Sequence, residues 1–323
     1  MANNISLPKG FKLNEYTIAK KISSGGFSIV YLAYDKHNNP VAIKEFFPNH
    51  LHLRTKGTNV TFINAREKFR FQEGLKAFKD ETEIVMKLKH RNIIEIINFF
   101  ESNGTAYLIM PYEYGMTLSR YILLEKNPNE AELISIAKDV FSAVQMFHEN
   151  KIIHLDLKPG NIWLRPNKEA LILDFGTARV IDDPIKSKQP PMHTPGYAAP
   201  EQHKEFFHPN RIGVWTDYYG LGATLYALID RSSPTPSSRL LQTEENMNLK
   251  KFRSGQFSNE ILSIVDTLMQ LEWEKRKELN LKKIIESFDF IKPVKPLKMI
   301  PDELTNYIKE AEKMFNLEEN ERK

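Results

Sequence analysis

The chain contains no cysteine, which excludes a disulfide framework and any cysteine-ligated metal site. It also lacks an apolar N-terminal segment of the kind that a secretory signal requires. Its most apolar helical run, residues 217–230, is too short to cross a bilayer and predicts a buried core helix instead. We therefore expect a protein without a membrane span in a reducing cytoplasm, while export as an effector stays open.

The sequence also lacks a concentrated cluster of charges of one sign. The 45 basic and 41 acidic residues are spread along the whole chain and give a formal net charge of +4. Because no basic patch stands out, we expect no nucleic-acid partner. Hydrophobic content of 41% and charged content of 27% are typical of an ordinary globular protein with a core.

The chain divides into two regions with different sequence patterns. Between residues 16 and 114, short β-branched and aromatic runs alternate with turn residues, which predicts hairpins of an antiparallel sheet. One helix interrupts these strands, predicted over residues 75–90, with Glu81 on its apolar face. Beyond residue 115 long helical periods dominate.

The sequence thus predicts an α+β fold with a small antiparallel β-rich lobe, which contains one main helix, and a larger, mainly helical lobe. The predicted boundaries are an N-lobe over 1–112, with an insertion at about 48–74, a C-lobe over 113–290, and a Pro-containing linker with a C-terminal amphipathic helix over 291–323. A small hairpin around Lys56 and Gly57 is expected in the insertion. It serves either docking or regulation, or is a solvated decoration. For the C-terminal helix, docking on the C-lobe, partner binding and self-association all stay open.

A glycine-rich turn, KISSGGFSIVYLA, lies between the first two strands. Small residues there let backbone N–H groups approach phosphates, and Val30 can cap a purine ring. A plain flexible hairpin turn explains the same pattern.

The strand VAIK ends in Lys44, a cation whose burial without a partner is costly. Glu81 of the predicted helix is the natural partner. Alternatively, the Lys44 ammonium reaches solvent and Glu81 only flanks its apolar stripe.

Three further segments follow in order. HLDLKPGN at residues 154–161 matches the H-R-D-L-x-x-x-N spacing, LILDFGTAR at 171–179 places an aspartate after an apolar strand, and HTPGYAAPEQ at 193–202 contains an A-P-E element. Coincidence does not explain five such elements in this order. The sequence resembles the eukaryotic-type protein kinases over about residues 14–290, and in segments such as VAIKEFFPNHL it resembles the bacterial Ser/Thr kinases among them.

This resemblance implies a two-lobed kinase fold and transfer of the ATP γ-phosphate to Ser/Thr hydroxyls of protein substrates, including the kinase itself. Asp156 would orient the acceptor hydroxyl and Lys158 would steady the phosphoryl group. The catalytic set that it implies is Asp156, Lys158, Asn161, Lys44, Glu81 and Thr194. Asn161 and Asp174 would bind Mg²⁺, with two ions expected and Mn²⁺ as an alternative.

For the nucleotide, the resemblance implies a hinge at YLIMPYEYG, with Met110 as gatekeeper, the carbonyl of Pro111 and the N–H of Glu113 facing adenine. The nucleotide-binding residues that it implies are Ile22, Ser24, Gly25, Gly26, Phe27, Val30, Ala42, Lys44, Met110, Pro111, Glu113 and Trp163. Trp163 stands where the family more often has Leu. Glu201 with Arg276 resembles a structural ion pair of the family. Asp217 resembles the acid that braces the catalytic loop, or is a plain helix cap.

Two departures from the family pattern matter. Leu155 replaces the arginine that binds an activation-loop phosphate in many kinases, so we expect activity without strict need for that phosphate. Thr194, Ser187 and Thr177 are the candidate phosphorylation sites. Ser23 and Ser28 stand where glycines are expected in the turn, which predicts weaker ATP binding.

Two alternatives to an active protein kinase stay open: a small-molecule phosphotransferase, and a nucleotide-binding scaffold with little turnover. His193, His203 and His208 fit no zinc spacing.

Overall fold

The computed structural model describes residues 6–48, 54, 58–125, 129–181, 190–243, 249, 253 and 255–294. The hairpin predicted around Lys56 and Gly57, the candidate phosphorylation site Ser187 and the predicted C-terminal helix lie outside these residues. Within the described part of the chain, no helix is long and apolar enough to cross a membrane.

The N-lobe contains an antiparallel sheet of six strands in the order β1-β2-β3-β4-β6-β5. Its strands are β1 (Lys12–Leu13), β2 (Tyr16–Ser24), β3 (Ser28–Tyr34), β4 (Pro40–Phe46), β5 (Asn98–Ser102) and β6 (Thr105–Pro111). Asn38 and Asn103, at the turns after β3 and β5, have φ of 66° and 53°. This left-handed backbone is one that Asn tolerates better than most residues, which explains the turn signals in the sequence.

Helix α1 (Ala65–Val85) starts earlier than predicted, since the sequence pattern indicated a start at Leu75 and an end near His90. Asn64 caps it by accepting a hydrogen bond from the backbone N–H of Glu67 at 2.9 Å. Phe71, only 1% exposed, extends the apolar stripe towards the N-terminus. The second part of the predicted insertion is therefore helix, and the helix presents a longer face to the cleft.

The C-lobe consists mainly of helices around two small sheets. Its elements are β7 (Met116–Thr117), α2 (Leu118–Leu124), α3 (Glu130–Glu149), β8 (Ile152–Ile153), β9 (Ile162–Leu164), β10 (Ala170–Ile172), β11 (Arg179–Val180), α4 (Val214–Asp230), α5 (Ser237–Thr243), α6 (Asn259–Leu268), α7 (Trp273–Lys277) and α8 (Leu281–Ser287). Helix α4 is buried over most of its length, as the run at 217–230 predicted.

Two apolar cores hold these layers together. One lies within the N-lobe, and the other fills the C-lobe and extends upwards to Val85 of α1 and Leu108 of β6. Helix α4 passes directly under the catalytic loop: a Cβ added at Gly220 would lie 3.0 Å from the Leu157 Cβ and 3.2 Å from the Leu157 carbonyl oxygen. A small residue at position 220 is therefore what lets the central helix support this loop.

Candidate active site

Asp217, in the first turn of α4, holds the start of the catalytic loop. Its carboxylate accepts hydrogen bonds from the backbone N–H groups of His154 and Leu155, both at 2.8 Å, and lies 2.8 Å from His148 Nε2. The side chain is fully buried, so these contacts satisfy a charge that has no access to water. The predicted bracing role of Asp217 is confirmed, and the sequence analysis missed His148.

Leu155 has a φ of 67°, a left-handed conformation that costs a non-glycine residue about 1–2 kcal/mol. Two contacts maintain it: Asp217 binds the Leu155 N–H, and the Gln202 side-chain amide donates to the Leu155 carbonyl at 2.7 Å. Gln202 also accepts from the Ala199 N–H at 2.9 Å. Gln202 therefore joins the catalytic loop to the segment at 194–202, a role that sequence reasoning missed.

Three side chains of the catalytic loop and one from the segment at 194–202 form one polar network. The Thr194 hydroxyl donates to Asp156 Oδ1 at 2.7 Å and accepts from Lys158 Nζ at 2.6 Å. Lys158 Nζ lies 2.7 Å from Asp156 Oδ2, and Asn161 Nδ2 donates to that same oxygen at 2.9 Å. Four residues of the predicted catalytic set are thus brought together, with the acid–lysine pair only partly buried and open to a cleft.

Lys44 contacts a different carboxylate from the predicted one. Its ammonium lies 2.6 Å from Asp174 Oδ1. Glu81 lines the same small cavity as Lys44, so the helix is on the correct side of the sheet. Asp174 lies two residues after strand β10 and holds the ammonium in this arrangement, and the Lys44–Glu81 pairing stays a prediction.

The Asp174 carboxylate is ionised throughout the physiological range. Burial raises its pKa, but the charge and hydrogen bond of Lys44 and the Gly176 N–H outweigh burial and lower the pKa to about 2. The Asp174 side chain is still 43% exposed towards the cleft. A permanently charged oxygen donor beside the catalytic loop is suited to a hard cation.

The glycine-rich turn forms the roof of the cleft, where Gly25, Gly26, Phe27 and Ser28 all contribute to its lining. Neither glycine has a left-handed backbone, and a Cβ added to either would meet nothing within 4 Å. The turn itself therefore does not require glycine at these positions. This result favours a roof that leaves room for a ligand over a plain hairpin turn.

Of the other predicted nucleotide residues, Lys44 lines the cleft, and the set as a whole differs in exposure. Ile22 and Ser24 are exposed, Met110 is buried, and the rest are half-buried, namely Val30, Ala42, Lys44, Pro111, Glu113 and Trp163. The register pairs Ala42 with Met110 across β4 and β6. This pairing puts the hinge strand next to the strand that carries Lys44.

Side-chain contacts with strand β9 fasten the hinge. Arg165 donates to both Glu113 oxygens, at 2.7 and 2.9 Å, and Trp163 Nε1 donates to the Tyr114 carbonyl at 3.2 Å. Gly115, with φ of 138°, has no room for a side chain, because a Cβ would lie 1.9 Å from the Leu164 oxygen. Arg165 and Gly115 are site residues that the sequence analysis missed, since only the paired β9 strand reveals them.

The predicted ion pair between Glu201 and Arg276 is confirmed. Arg276 Nη2 lies 2.5 and 2.6 Å from the two Glu201 oxygens, and the Thr216 hydroxyl donates to Glu201 at 3.0 Å. Both charged side chains are almost completely buried. The pair ties the segment that carries Thr194 to helix α7.

The fold and this arrangement define a protein kinase, and the sequence comparisons agree. The family model described as protein kinase domain matches residues 16–290, so the chain belongs to that family. The two-lobed kinase fold expected from the sequence is confirmed.

Individual relatives give the same result. Serine/threonine-protein kinase Nek5 of Homo sapiens is 28% identical over 273 residues, which cover 83% of this chain and 36% of Nek5. Aurora kinase C of Mus musculus is 27% identical over 255 residues, which cover 78% of this chain and 83% of that protein. A solved structure titled PpkA-294 apo form has a TM-score of 0.78 and 30% identity, and the match covers 88% of this chain and 100% of that one. The chain thus spans about a third of Nek5 and most of Aurora kinase C.

Proposed function

We propose that this protein transfers the γ-phosphate of ATP to serine and threonine hydroxyl groups of proteins, its own included. The observation that carries this proposal is the Thr194 hydroxyl held between Asp156 and Lys158 at 2.7 and 2.6 Å. These contacts support a site in which a hydroxyl group lies between an acid and a cation. One of the relatives, Nek5, is named as a serine/threonine-protein kinase.

In the proposed reaction, Asp156 orients the acceptor hydroxyl and takes its proton as the new oxygen–phosphorus bond forms. The bond between the γ-phosphorus and the β–γ bridging oxygen breaks, and ADP leaves. Lys158 offsets charge on the transferred group. Asn161 holds Asp156 through hydrogen bonds to its carboxylate and its carbonyl, at 2.9 and 2.8 Å, so the acid keeps its direction.

The residues around Asp174 fit a divalent cation. Asn161 uses its amide nitrogen on Asp156, which leaves its carbonyl oxygen available, and Asp174 is ionised. Oxygen donors of this kind are the ligands that Mg²⁺ prefers. When bound, Mg²⁺ would neutralise charge on the phosphates. Two ions, and Mn²⁺ as a substitute, belong to the same proposal.

We further propose that Mg-ATP lies under the glycine-rich turn, with Val30, Ala42 and Trp163 around the adenine and Lys44 on the α and β phosphates. The contact of Lys44 with Asp174 holds its ammonium beside the carboxylate that is proposed to bind Mg²⁺, where the phosphates would also lie. Ser23 and Ser28 beside the two glycines support weaker ATP binding than in kinases with a full glycine set.

Activity independent of activation-segment phosphate is part of the proposal. Leu155 is apolar and 3% exposed, and so cannot form a charge-assisted pair with a phosphate. The Thr177 hydroxyl donates to the His154 carbonyl at 2.8 Å, and that of Thr194 belongs to the catalytic network. Both hydroxyls are thus held by protein contacts, without a phosphate, in this arrangement.

The resemblance to bacterial kinases and a cytoplasmic location are further parts of this proposal, supported by the sequence alone. A scaffold with little turnover is the competing function, because the serine-substituted turn weakens the case for efficient catalysis.

Transfer of labelled γ-phosphate from Mg-ATP decides between the two functions. The wild type should label itself and a generic Ser/Thr protein. The rate of Asp156→Ala should be about 10²–10⁴-fold lower, which is the usual contribution of an acid–base residue. Asp289→Asn, a change at an exposed surface pair with Lys138, is the matched control and should leave the rate unchanged. If none of the proteins transfers label while ATP still raises their melting temperature, the scaffold function is correct.

A further inference from the structure

The catalytic cleft is longer than phosphoryl transfer alone requires. It has a volume of about 470 Å³ and reaches from Asp156, Lys158 and Asp174 to Arg70 on α1. The segment before Thr194 contributes Met192 and His193 to the same cleft. Both are exposed, Met192 to 59%. An open path therefore leads from the reacting atoms to the first half of the helix.

One face of α1 forms a wall of this path. Arg70, Gly74, Ala77, Phe78 and Glu81 all line the cleft, and their spacing puts them on a single helical face. Gly74 lets this face pack tightly against strand β4, since a Cβ there would lie 2.8 Å from Phe46 Cζ. Arg70 and Glu81 are separated by about 16 Å at 1.5 Å per helical residue.

Among the described lysine and arginine side chains that line this cleft, Arg70 is the one without an acidic partner. Lys44 is paired with Asp174 and Lys158 with Asp156. Within the described ranges Arg70 has neither a hydrogen bond nor an ion pair, although its helix carries Glu67 and Glu73 one turn away on either side. Glu67 instead contacts the Ile63 N–H at 3.3 Å. A group that enters the cleft is therefore the available partner of Arg70.

We propose that Arg70 selects acceptor segments that carry a glutamate or aspartate, and that the exposed Met192 and Phe27 accommodate an apolar side chain between that acid and the acceptor. This inference rests on the proposed kinase function. An extended peptide advances about 3.3 Å per residue, so an acidic residue several positions from the Ser/Thr acceptor can reach a cation at the far end of the cleft. Charge complementarity at this distance affects the choice among substrates more than it affects the overall binding affinity.

The test uses a set of serine peptides that are identical except for Glu, Gln or Lys, placed one position at a time along the residues on either side of the serine. The wild type should phosphorylate the best Glu peptide with a kcat/KM about fivefold above its Lys counterpart, the upper end for one exposed charge pair. Arg70→Gln should abolish the preference and Arg70→Glu should reverse it. Lys76→Glu, on an exposed position of the same helix outside the cleft, is the matched control and should keep the wild-type preference.

Equal rates for Glu and Lys peptides, or an unchanged preference in Arg70→Glu, would overturn the proposal. A rise in KM for ATP in Arg70→Gln with every peptide would overturn it too, because Arg70 would then bind nucleotide phosphate. Peptide binding, measured by fluorescence anisotropy without ATP, separates this inference from the kinase function. Glu-selective binding that depends on Arg70 would support the acidic site even if no phosphate were transferred. Phosphate transfer without charge preference would leave the kinase function standing alone.

Discussion

Arg54 of the inserted segment forms a buried ion pair with Glu45 on strand β4, the neighbour of Lys44. Glu45 is completely inaccessible, and its carboxylate also accepts hydrogen bonds from Tyr31 and Tyr107, each at 2.8 Å. Val60 of the same segment donates its N–H to the Asn103 carbonyl at 2.8 Å. The insertion therefore covers the side of the N-lobe sheet away from the cleft, and its described residues are not a solvated decoration.

Replacing Arg54 with Met should destabilise the protein strongly. The change leaves the Glu45 charge buried without its cation, and removal of one partner from such a pair costs about 3–5 kcal/mol. The free energy of unfolding in urea measures this loss. Adding Glu45→Gln to Arg54→Met should restore a large part of it, because the uncompensated charge is gone.

A surface ion pair supplies the control. Lys36 lies 3.7 Å from Glu15, with side chains 64% and 43% exposed, so Lys36→Met should change stability little. If Arg54→Met is as stable as the wild type, the insertion does not stabilise the sheet that it covers. Docking then becomes its remaining role.

Gln202 should couple the catalytic loop to the segment that carries Thr194. Gln202→Ala removes the hydrogen bonds to the Leu155 carbonyl and from the Ala199 N–H, and leaves buried backbone groups unsatisfied. We expect a fall in kcat of about tenfold, since each lost buried hydrogen bond costs about 1–3 kcal/mol and part of this cost falls on the loop geometry. KM for ATP should stay unchanged, because Gln202 is remote from the hinge. A drop in melting temperature with normal kcat would mean that Gln202 only supports the fold.

How much of this site the sequence could predict depends on the range of each contact. The catalytic loop, with Asp156, Lys158 and Asn161 within six residues, is encoded locally, so spacing alone located it. The contact between Lys44 and Asp174 was not predicted, because Glu81 also satisfies the sequence argument and 130 residues separate Lys44 from Asp174. The Arg54–Glu45 pair left no sequence signal, since buried charges become visible only when the sheet that covers them is known.

Acid should destabilise the fold through its buried histidines. Burial, together with the nearby His193, lowers the pKa of His203 below its usual 6.5, and burial also lowers the pKa values of His154 and His90. Because the native state then binds fewer protons than the unfolded chain, this stability is present above pH 6.5 and falls as the pH drops through the unfolded value. Unfolding free energies at pH 7.5 and 5.0 measure the loss.

His203 offers a specific check of that pH dependence. Its Nε2 lies 3.0 Å from the Ser237 hydroxyl, and its ring centroid lies 4.5 Å from that of His193. The charge of Glu205 raises the pKa of His203 and so opposes the effect of burial. His203→Gln keeps a polar side chain but cannot be protonated, so the difference in stability between the two pH values should shrink. An unchanged difference would show that His203 already titrates normally.

Trp163 should report nucleotide binding directly. Its indole is half-buried beside the hinge and donates to the Tyr114 carbonyl at 3.2 Å, so an adenine stacked there should quench its fluorescence. Trp163→Leu should lose the ATP-dependent signal and raise KM for ATP about fivefold, which corresponds to one hydrogen bond of about 1 kcal/mol that no longer holds the hinge. Trp273→Phe, at the distant contact with Trp215, should keep the full signal. If Trp273→Phe removes the signal and Trp163→Leu does not, the nucleotide lies elsewhere.

Removal of phosphate should leave the kinase active. In many kinases an arginine before the catalytic aspartate holds an activation-segment phosphate, but Leu155 is apolar and buried, and its backbone is already fixed by Asp217 and Gln202. The loop therefore reaches its catalytic geometry through contacts that involve no phosphate. Protein treated with phosphatase, and verified by mass spectrometry to carry no phosphate, should show the same initial rate on a peptide substrate as the untreated protein. A Ser187→Ala, Thr177→Val double variant should behave likewise, apart from the lost hydrogen bond of Thr177 to the His154 carbonyl. A lag that ends as autophosphorylation proceeds would contradict this view, because activity would then depend on a phosphate that a residue other than Leu155 recognises.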